Sequence, residues 1–166
     1  MTARAEAQGE QLVVLQLGGE SYGVDIAAVN SIVTREQITR VPHAPAFVEG
    51  VINLRGAIVP VVDLRRRFGL PAAEPTVASR IVVVETRTGL LGLLVDAVTE
   101  TISVRREAVE PPSSLLTTSD SPYLRGVARL EDRLIVILDL EQILPRVETA
   151  SLASAAAQAG AEEGRA

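Results

Sequence analysis

The side chains best suited to chemistry in this chain are one histidine and a set of carboxylates. His43 is the only imidazole, and it lies between Pro42 and Pro45. A zinc site needs three or four ligands, which one histidine without cysteine does not supply, and no Gly-x-Ser-x-Gly elbow accompanies it. Because the chain contains no cysteine and no lysine, thiolate chemistry, disulfides and the usual phosphate-binding loop are also excluded.

Four aspartates stand at the ends of apolar segments, in matching parts of the two halves of the chain. Such positions are typical of turns and helix caps. A catalytic carboxylate pair would have no reason to recur in each half, so the pattern favours a protein that binds other molecules and is not an enzyme. No cofactor and no metal site are predicted. The four residues are Asp25, Asp63, Asp96 and Asp139.

The composition is that of an ordinary globular domain. Of the 166 residues, 47% are hydrophobic and 2% are aromatic, so Val, Ile and Leu must fill the core. The net charge of −5 opposes nucleic-acid binding, which needs clustered basic residues. No stretch approaches the roughly 18 apolar residues of a membrane span. We therefore expect no membrane insertion and a cytoplasmic location.

Short segments rich in Val, Ile and Leu, bounded by Gly, Pro or Asp, predict a mostly β fold. Short helical turns are expected after Asp63 and Asp139, which are good N-cap residues. We expect a disordered N-terminus over residues 1–10 and a flexible, Ala-rich tail over residues 146–166. The predicted strand pairs are residues 12–17 with 22–26, 50–54 with 57–62, 79–86 with 90–95, and 123–130 with 133–138.

The predicted strands repeat within the chain. An offset of 69 aligns residues 22–29 with 91–98, and an offset of 76 aligns 50–54 with 126–130. The change of offset places seven additional residues within 103–125. The duplication predicts two small barrels that share an apolar seam, about 12–70 for the first and 79–145 for the second, and it leaves an exchange of strands between them open.

The two halves differ at one hairpin turn. The first half has Asn53-Leu54-Arg55-Gly56 where the second has Arg129-Leu130-Glu131-Asp132. Gly56 permits a positive φ there, so Arg55 would project from a rigid turn and offer its donors to a carboxylate or carbonyl. The alternative is an arginine that is simply exposed at a turn.

Residues 38–42, 45–56 and 58–65 closely resemble the CheW family of chemotaxis coupling proteins, and residues 22–26 and 94–98 agree with them. The resemblance covers about residues 11–145. It implies two intertwined, SH3-like, five-stranded β-barrels with short helical turns. It also implies an adaptor that joins the histidine kinase CheA to the cytoplasmic hairpin tips of chemoreceptors.

The family resemblance implies a receptor-binding groove between the barrels, in which one face of a receptor helix would lie. The alternative for each apolar residue of the groove is that it belongs to the core. The residues at receptor-binding positions are Val13, Ile26, Val29, Ile32, Gly50, Asn53, Arg55 and Val98. The residues at kinase-binding positions are Ser31, Gly56, Glu110 and Leu115.

Two of these positions depart from the family pattern, because many members have an acidic residue at Ser31 and some have arginine at Glu110.

The resemblance further implies a monomer that joins rings with the CheA regulatory domain in membrane-associated receptor arrays. An adaptor of a twitching or gliding system is an alternative, and so is a purine or small-molecule sensor. The lack of a phosphate loop and the scarcity of aromatic residues argue against the sensor.

Overall fold

The structure is a computed structural model that describes residues 9–35, 38–71, 73–111, 124–130 and 133–143. Strands dominate these ranges. They are β1 (Gly9–Leu17), β2 (Glu20–Asp25), β3 (Val29–Thr34), β4 (Val48–Leu54), β5 (Ala57–Asp63), β6 (Arg80–Thr86), β7 (Gly89–Val95), β8 (Ala97–Arg105), β9 (Val109–Glu110), β10 (Leu124–Leu130) and β11 (Arg133–Leu138). Helix α1 spans Leu64–Arg67, and 3₁₀ turns span Ile26–Ala28, Arg106–Ala108 and Leu140–Gln142.

The four predicted strand pairs are confirmed as the antiparallel pairs β1–β2, β4–β5, β6–β7 and β10–β11. The helical turns are confirmed too. The Asp63 carboxylate accepts from Arg65 N at 3.0 Å, and the Asp139 carboxylate accepts from Glu141 N at 3.1 Å. Strands β3, β8 and β9 were not predicted, because their polar residues interrupt the apolar pattern.

The expectation of disorder over residues 1–10 is wrong for its last two residues. Gly9 and Glu10 begin β1, where they pair with Arg105 and Val104 of β8. Glu10 also forms an ion pair with Arg125 at 2.6 Å, so ladder hydrogen bonds and a charge pair hold this end of β1 in place. The remaining residues 1–8 and the tail 146–166 lie outside the described part of the chain.

The strands form two sheets with the orders β8-β1-β2-β11-β10-β9 and β3-β6-β7-β5-β4. We call them the first and the second sheet. The hairpins within them are antiparallel, whereas β2–β11 and β5–β7 are parallel pairs. The predicted fold class of two intertwined SH3-like barrels is confirmed. The two-residue strand β9 adds a sixth strand to the five expected in the first sheet.

The sheets exchange strands between the two sequence repeats. The repeat offsets match β1, β2, β3, β4 and β5 with β6, β7, β8, β10 and β11. Replacing each strand of the second sheet by its match gives the order β8-β1-β2-β11-β10, which is the first sheet without β9. Each sheet therefore combines a hairpin of one repeat with strands of the other. Residues 12–70 and 79–145 each contribute to both sheets.

The apolar core is divided into three clusters. Strands β1 and β6 read as continuous apolar runs because alternate residues point into a sheet's own core and into the seam between the sheets. The first sheet buries Leu12, Val14, Val104, Ala128, Ile135 and Ile137, and the second buries Ile52, Val59, Val61, Ile81 and Val83. The central cluster takes buried side chains from both sheets, and these are Val13, Leu15, Leu17, Val24, Val62, Leu64, Val82, Val84, Leu91, Leu93, Val95, Leu138 and Ile143.

Asp96 forms a polar link at the place where the chain passes from β7 in the second sheet to β8 in the first. Its carboxylate accepts from Arg65 Nε at 2.8 Å, from Arg65 Nη2 at 2.6 Å and from Gly18 N at 3.0 Å. The hydrogen bonds from the Arg65 side chain lower the pKa of Asp96 against the opposing effect of burial. Asp96 thus ties α1 to the β1–β2 turn.

A close approach of backbone explains two matching glycines. Thr39 and Val51 exchange backbone hydrogen bonds of 2.8 Å, which lay the segment before β4 against that strand. A Cβ on Gly50 would lie 2.2 Å from the Thr39 carbonyl oxygen. At the matching position of the other repeat, a Cβ on Gly126 would lie 2.8 Å from the Glu110 carbonyl oxygen. Both positions therefore require glycine for packing.

Removing the charge of Asp96 should weaken the fold in a pH-dependent way. Its folded-state pKa is lowered, so the carboxylate stabilises the fold above about pH 4 and loses this effect as the pH falls below that value. Because the pair is partly exposed, we expect Asp96→Asn to reduce the free energy of unfolding by about 1 kcal/mol near neutral pH. Urea unfolding at about pH 7 and about pH 3 measures this difference.

The matched control is Asp25→Asn, which exchanges one good N-cap residue for another and should cost only a few tenths of a kcal/mol. The stability difference between wild type and Asp96→Asn should narrow in acid. A difference equally wide at both pH values would contradict a stabilising role for the charge.

Replacing Gly50 by alanine should destabilise the fold by about 2 kcal/mol or more, because the new Cβ meets a backbone oxygen that cannot move aside. Gly126→Ala should cost less, since its contact is longer. Thermal melts of the two variants test this order. A melt of Gly50→Ala that matches wild type would refute the close approach.

Candidate partner-binding site

The turn between β4 and β5 has an unusual backbone at Arg55. Arg55 has φ of 52° and Gly56 has φ of 90°, which together define a two-residue type I′ turn. The Asn53 carboxamide oxygen accepts from Gly56 N at 3.0 Å and stabilises this turn. The sequence predicted a positive φ at Gly56, and the structure places Arg55 in the left-handed region as well. An arginine there costs about 1 kcal/mol relative to Gly or Asn.

The Arg55 side chain is exposed, and it makes no hydrogen bond or ion pair with any described residue. Its guanidinium therefore remains available to a partner. The turn at the matching place of the other repeat, residues 131–132, lies outside the described residues.

The five predicted groove residues fall into two classes. Val13 is only 4% exposed and belongs to the central cluster, while Val29 and Val98 are half-buried and pack against that cluster. These three residues come together in the seam. Val13 is a core residue, which is the alternative given above for the apolar groove residues. Ile26 and Ile32 differ from them, because 37% and 43% of their surfaces are exposed.

The exposed Ile32 continues the seam to the surface. It lies opposite Val82 of β6, and Val29 lies opposite Val84, so both share the face of β3 that points toward the central cluster. We call Val29 and Ile32 the β3 strip. The residues that match Val29 and Ile32 in the other repeat are Val98 and Thr101. Because Thr101 is polar and exposed, only one of the two matching strand faces carries an apolar strip.

Ile26 lies at one end of the first sheet, in the 3₁₀ turn that follows β2. The Asp25 carboxylate caps this turn by accepting from Ala27 N at 2.9 Å. Ile26 lines an open cavity of about 450 Å³ together with Glu10, Arg106 and Arg125. The sequence alone does not point to the two arginines. They are far from Ile26 in the sequence, and only the exchanged topology brings them beside it.

The predicted kinase-binding residues that the structure describes lie on three different elements. Ser31 lies opposite Val83, so it points to the other face of β3 from Ile32, and its hydroxyl donates to Asn30 Oδ1 at 2.9 Å. Gly56 is exposed in the β4–β5 turn. Glu110 lies in β9 of the first sheet, where it forms an exposed ion pair of 2.8 Å with Arg129. The fourth residue, Leu115, lies outside the described residues.

Gly50 is buried beneath the segment that carries Thr39, so packing alone accounts for this glycine. Its assignment to the receptor-binding set stays a prediction. Asn53 has a structural task as well, because it holds the turn that presents Arg55. Among the predicted polar receptor-binding residues, Arg55 is therefore the one whose side chain is free of described partners.

A second cavity, of about 180 Å³, lies at the corresponding end of the second sheet. Its charged lining includes Arg35, Arg40, Glu49 and Asp63. Burial raises the pKa of Asp63, which the hydrogen bond from Arg65 N opposes. The Arg35 Nε is buried and has no hydrogen-bond partner among the residues that the structure describes.

No helix in the described ranges is long and apolar enough to cross a membrane. Within the same ranges, no group of three or more His, Cys, Asp or Glu side chains is placed to hold a metal ion.

Comparison with known proteins identifies relatives over most of the chain. The CheW-like domain family model matches residues 11–148. The chain is 39% identical over 140 residues to the chemotaxis protein CheW of Rhizobium meliloti, covering 84% of this chain and 90% of that protein. It is 33% identical over 145 residues to the chemotaxis protein CheW of Klebsiella aerogenes, covering 87% of each.

A solved structure agrees with these relatives. The crystal structure of the scaffolding protein TtCheW from Thermoanaerobacter tengcongensis superposes with a TM-score of 0.77 at 41% sequence identity, covering 81% of this chain and 92% of that one. The family model, the close relatives and the shared fold lead to one conclusion: the chain belongs to the CheW family and is a chemotaxis adaptor of the scaffolding type.

Proposed function

We propose that the protein links the cytoplasmic hairpin tips of chemoreceptors to the regulatory domain of the histidine kinase CheA. The observation that carries the proposal is the β3 strip, whose exposed Ile32 continues the buried seam to the surface next to a sheet edge. The proposed action is binding, not catalysis. We further propose that the protein is monomeric alone, works in the cytoplasm and joins ring-shaped arrays when both partners are present.

The receptor would contact the β3 strip through one face of a helix. An apolar strand face that is half-buried at Val29 and exposed at Ile32 suits the apolar side chains that recur every three or four residues along a helix. Because the strip is continuous with the rigid central cluster, it would be preformed, and little ordering would be needed on binding.

Arg55 would supply the polar part of receptor recognition. The backbone conformation at this residue favours Gly or Asn, so an arginine here is costly for the fold alone. A guanidinium on a rigid turn loses little freedom when it donates to a carboxylate or carbonyl of a partner. We therefore assign Arg55 to receptor coupling and not to the stability of the turn.

The kinase would use other surfaces than the β3 strip, namely the opposite face of β3 at Ser31, the β4–β5 turn at Gly56, and the positions Glu110 and Leu115. Glu110 carries an ion pair with Arg129 on the first sheet, whereas Ser31 and Gly56 belong to the second. Contacts on two sheets suit a protein that has neighbours on both sides in a ring. Ser31 lacks the negative charge that many family members have at this position, and Glu110 is negative where some members have arginine. The cognate kinase should therefore carry charges that complement these two residues.

The proposed function is tested by mixing the protein with its cognate CheA and a soluble receptor-tip fragment. All three should elute together in size-exclusion chromatography, and receptor-dependent kinase activity should require the adaptor. Failure of the protein to retain either partner would refute the proposal.

Ile32→Asp should lower the affinity for the receptor-tip fragment at least about tenfold, because a charge replaces the exposed apolar centre of the strip. Leu134→Asp is the matched control, since Leu134 is 59% exposed but lies on β11 of the first sheet. Calorimetric titration measures both affinities. Equal losses from the two variants would contradict an assignment to the β3 strip.

Arg55→Asn should separate stability from function. Since Asn adopts the left-handed conformation more readily, the variant should gain about 0.5–1 kcal/mol in the free energy of unfolding. It should nevertheless lose most receptor-dependent kinase control, as should Arg55→Glu. Urea unfolding and a coupled phosphorylation assay measure the two effects. Full kinase control by Arg55→Asn would show that Arg55 is only a turn residue.

A further inference from the structure

We propose that the cavity beside Ile26 is a polar subsite that receives an acidic side chain of the docked partner helix, with Arg106 as the cation that binds it. The inference rests on the proposed function, because it extends the receptor-binding surface from the β3 strip to the end of the first sheet. The partner helix would then need an acidic residue, which the apolar strip alone does not require.

Four strands of the first sheet, with the turns that follow two of them, build this subsite. Glu10 comes from the start of β1, Asp25 ends β2, Ile26 begins the 3₁₀ turn after it, and Arg125 comes from β10. Arg106 follows β8 directly. The cavity of about 450 Å³ therefore combines an exposed apolar side chain with two arginines and two carboxylates.

Partners within the protein engage three of these four charges. Arg125 binds the Glu10 carboxylate through both terminal nitrogens, at 2.6 and 3.2 Å. The hydrogen bond from Arg125 lowers the pKa of Glu10, as an engaged carboxylate should show. Asp25 caps the 3₁₀ turn at Ala27. Arg106 is exposed and makes no hydrogen bond or ion pair with a described residue. Its charge helps Arg125 to lower the pKa of Glu10, but the hydrogen-bond donors of Arg106 are left for a ligand.

The matching cavity of the second sheet is smaller and is also lined by arginines. Arg35 follows β3 as Arg106 follows β8, and Val95 matches Ile26 at the repeat offset. There the chain's own residues 73–75, including Glu74, line a cavity of only about 180 Å³ that Arg35 and Arg40 also line. Of the carboxylates that line it, Glu49 forms an ion pair of 3.8 Å with Arg40. The smaller cavity thus pairs a cation and a carboxylate of the chain itself, while the larger cavity has room for a carboxylate from outside.

The spacing of side chains along a helix determines which residues the partner needs. Side chains three or four residues apart lie about 5–6 Å from each other on one face of a helix. A helix with an apolar residue against Ile26 could therefore place an Asp or Glu, one turn away, against Arg106 in the same cavity. A charge-assisted hydrogen bond between the two would fix the register of the helix along the strip.

The test uses the full chain and a soluble cytoplasmic hairpin fragment of a chemoreceptor from the same genome. Arg106→Glu should weaken binding about tenfold in calorimetric titration, and the remaining affinity should depend less on salt than that of wild type. Arg105→Glu is the matched control, because it makes the same charge change at the exposed neighbouring residue, which does not line the cavity. It should bind within about twofold of wild type.

A charge swap gives the second arm of the test. Each Asp and Glu on the fragment is changed to Lys in turn, and one of these variants should recover binding with Arg106→Glu but not with Arg105→Glu. Equal losses from the two arginine variants, or no recovery by any swap, would overturn the subsite.

Ile32→Asp distinguishes the two proposals. If Ile32→Asp abolishes binding while Arg106→Glu binds like wild type, the receptor-binding strip stands and the subsite is refuted. If the wild-type chain itself does not bind the fragment, the proposed function fails.

Discussion

The apolar seam between the two sheets is the interaction on which the rest of the molecule depends. Each sheet takes a hairpin from one repeat and its remaining strands from the other, so neither repeat completes a sheet alone. The central cluster joins both sheets through strands such as β1 and β6, which bury both of their faces. Because roughly 25 cal/mol is gained for each Å² of apolar surface buried, this seam dominates over exposed ion pairs such as Glu110–Arg129.

The same seam gives the adaptor its asymmetry. Two sheets related by duplication would offer two similar faces, but the strip ends in Ile32 on one face and in Thr101 on the other. The cavities at the two sheet ends also differ, since the one lined by Arg106 has a volume of about 450 Å³ and the one lined by Arg35 a volume of about 180 Å³. Duplication thus builds a rigid core, and a few substitutions at its rim make the two sides different surfaces.

Sequence reasoning predicted the features that local patterns determine. Ungapped repeats and turn residues identified the four hairpins, and Asp63 was recognised as a helix cap. The repeat offsets leave the exchange of strands open, because they match segments without showing which hairpin joins which sheet. Val13 and Ile32 look alike as apolar residues, and only the fold separates a core residue from an exposed one. Arg106 was missed for the same reason, since its cavity is built by residues distant in the sequence.

Hydrogen–deuterium exchange of the full chain with each partner tests most directly whether one protein holds two partners on different surfaces. The receptor-tip fragment should protect the amides of Ile26–Ala28, while the CheA regulatory domain should protect Val109–Glu110 and leave Ile26–Ala28 exchanging as in the free protein. In the mixture of all three, both patterns should appear together. Protection of one and the same surface by both partners, with either displacing the other, would contradict the account.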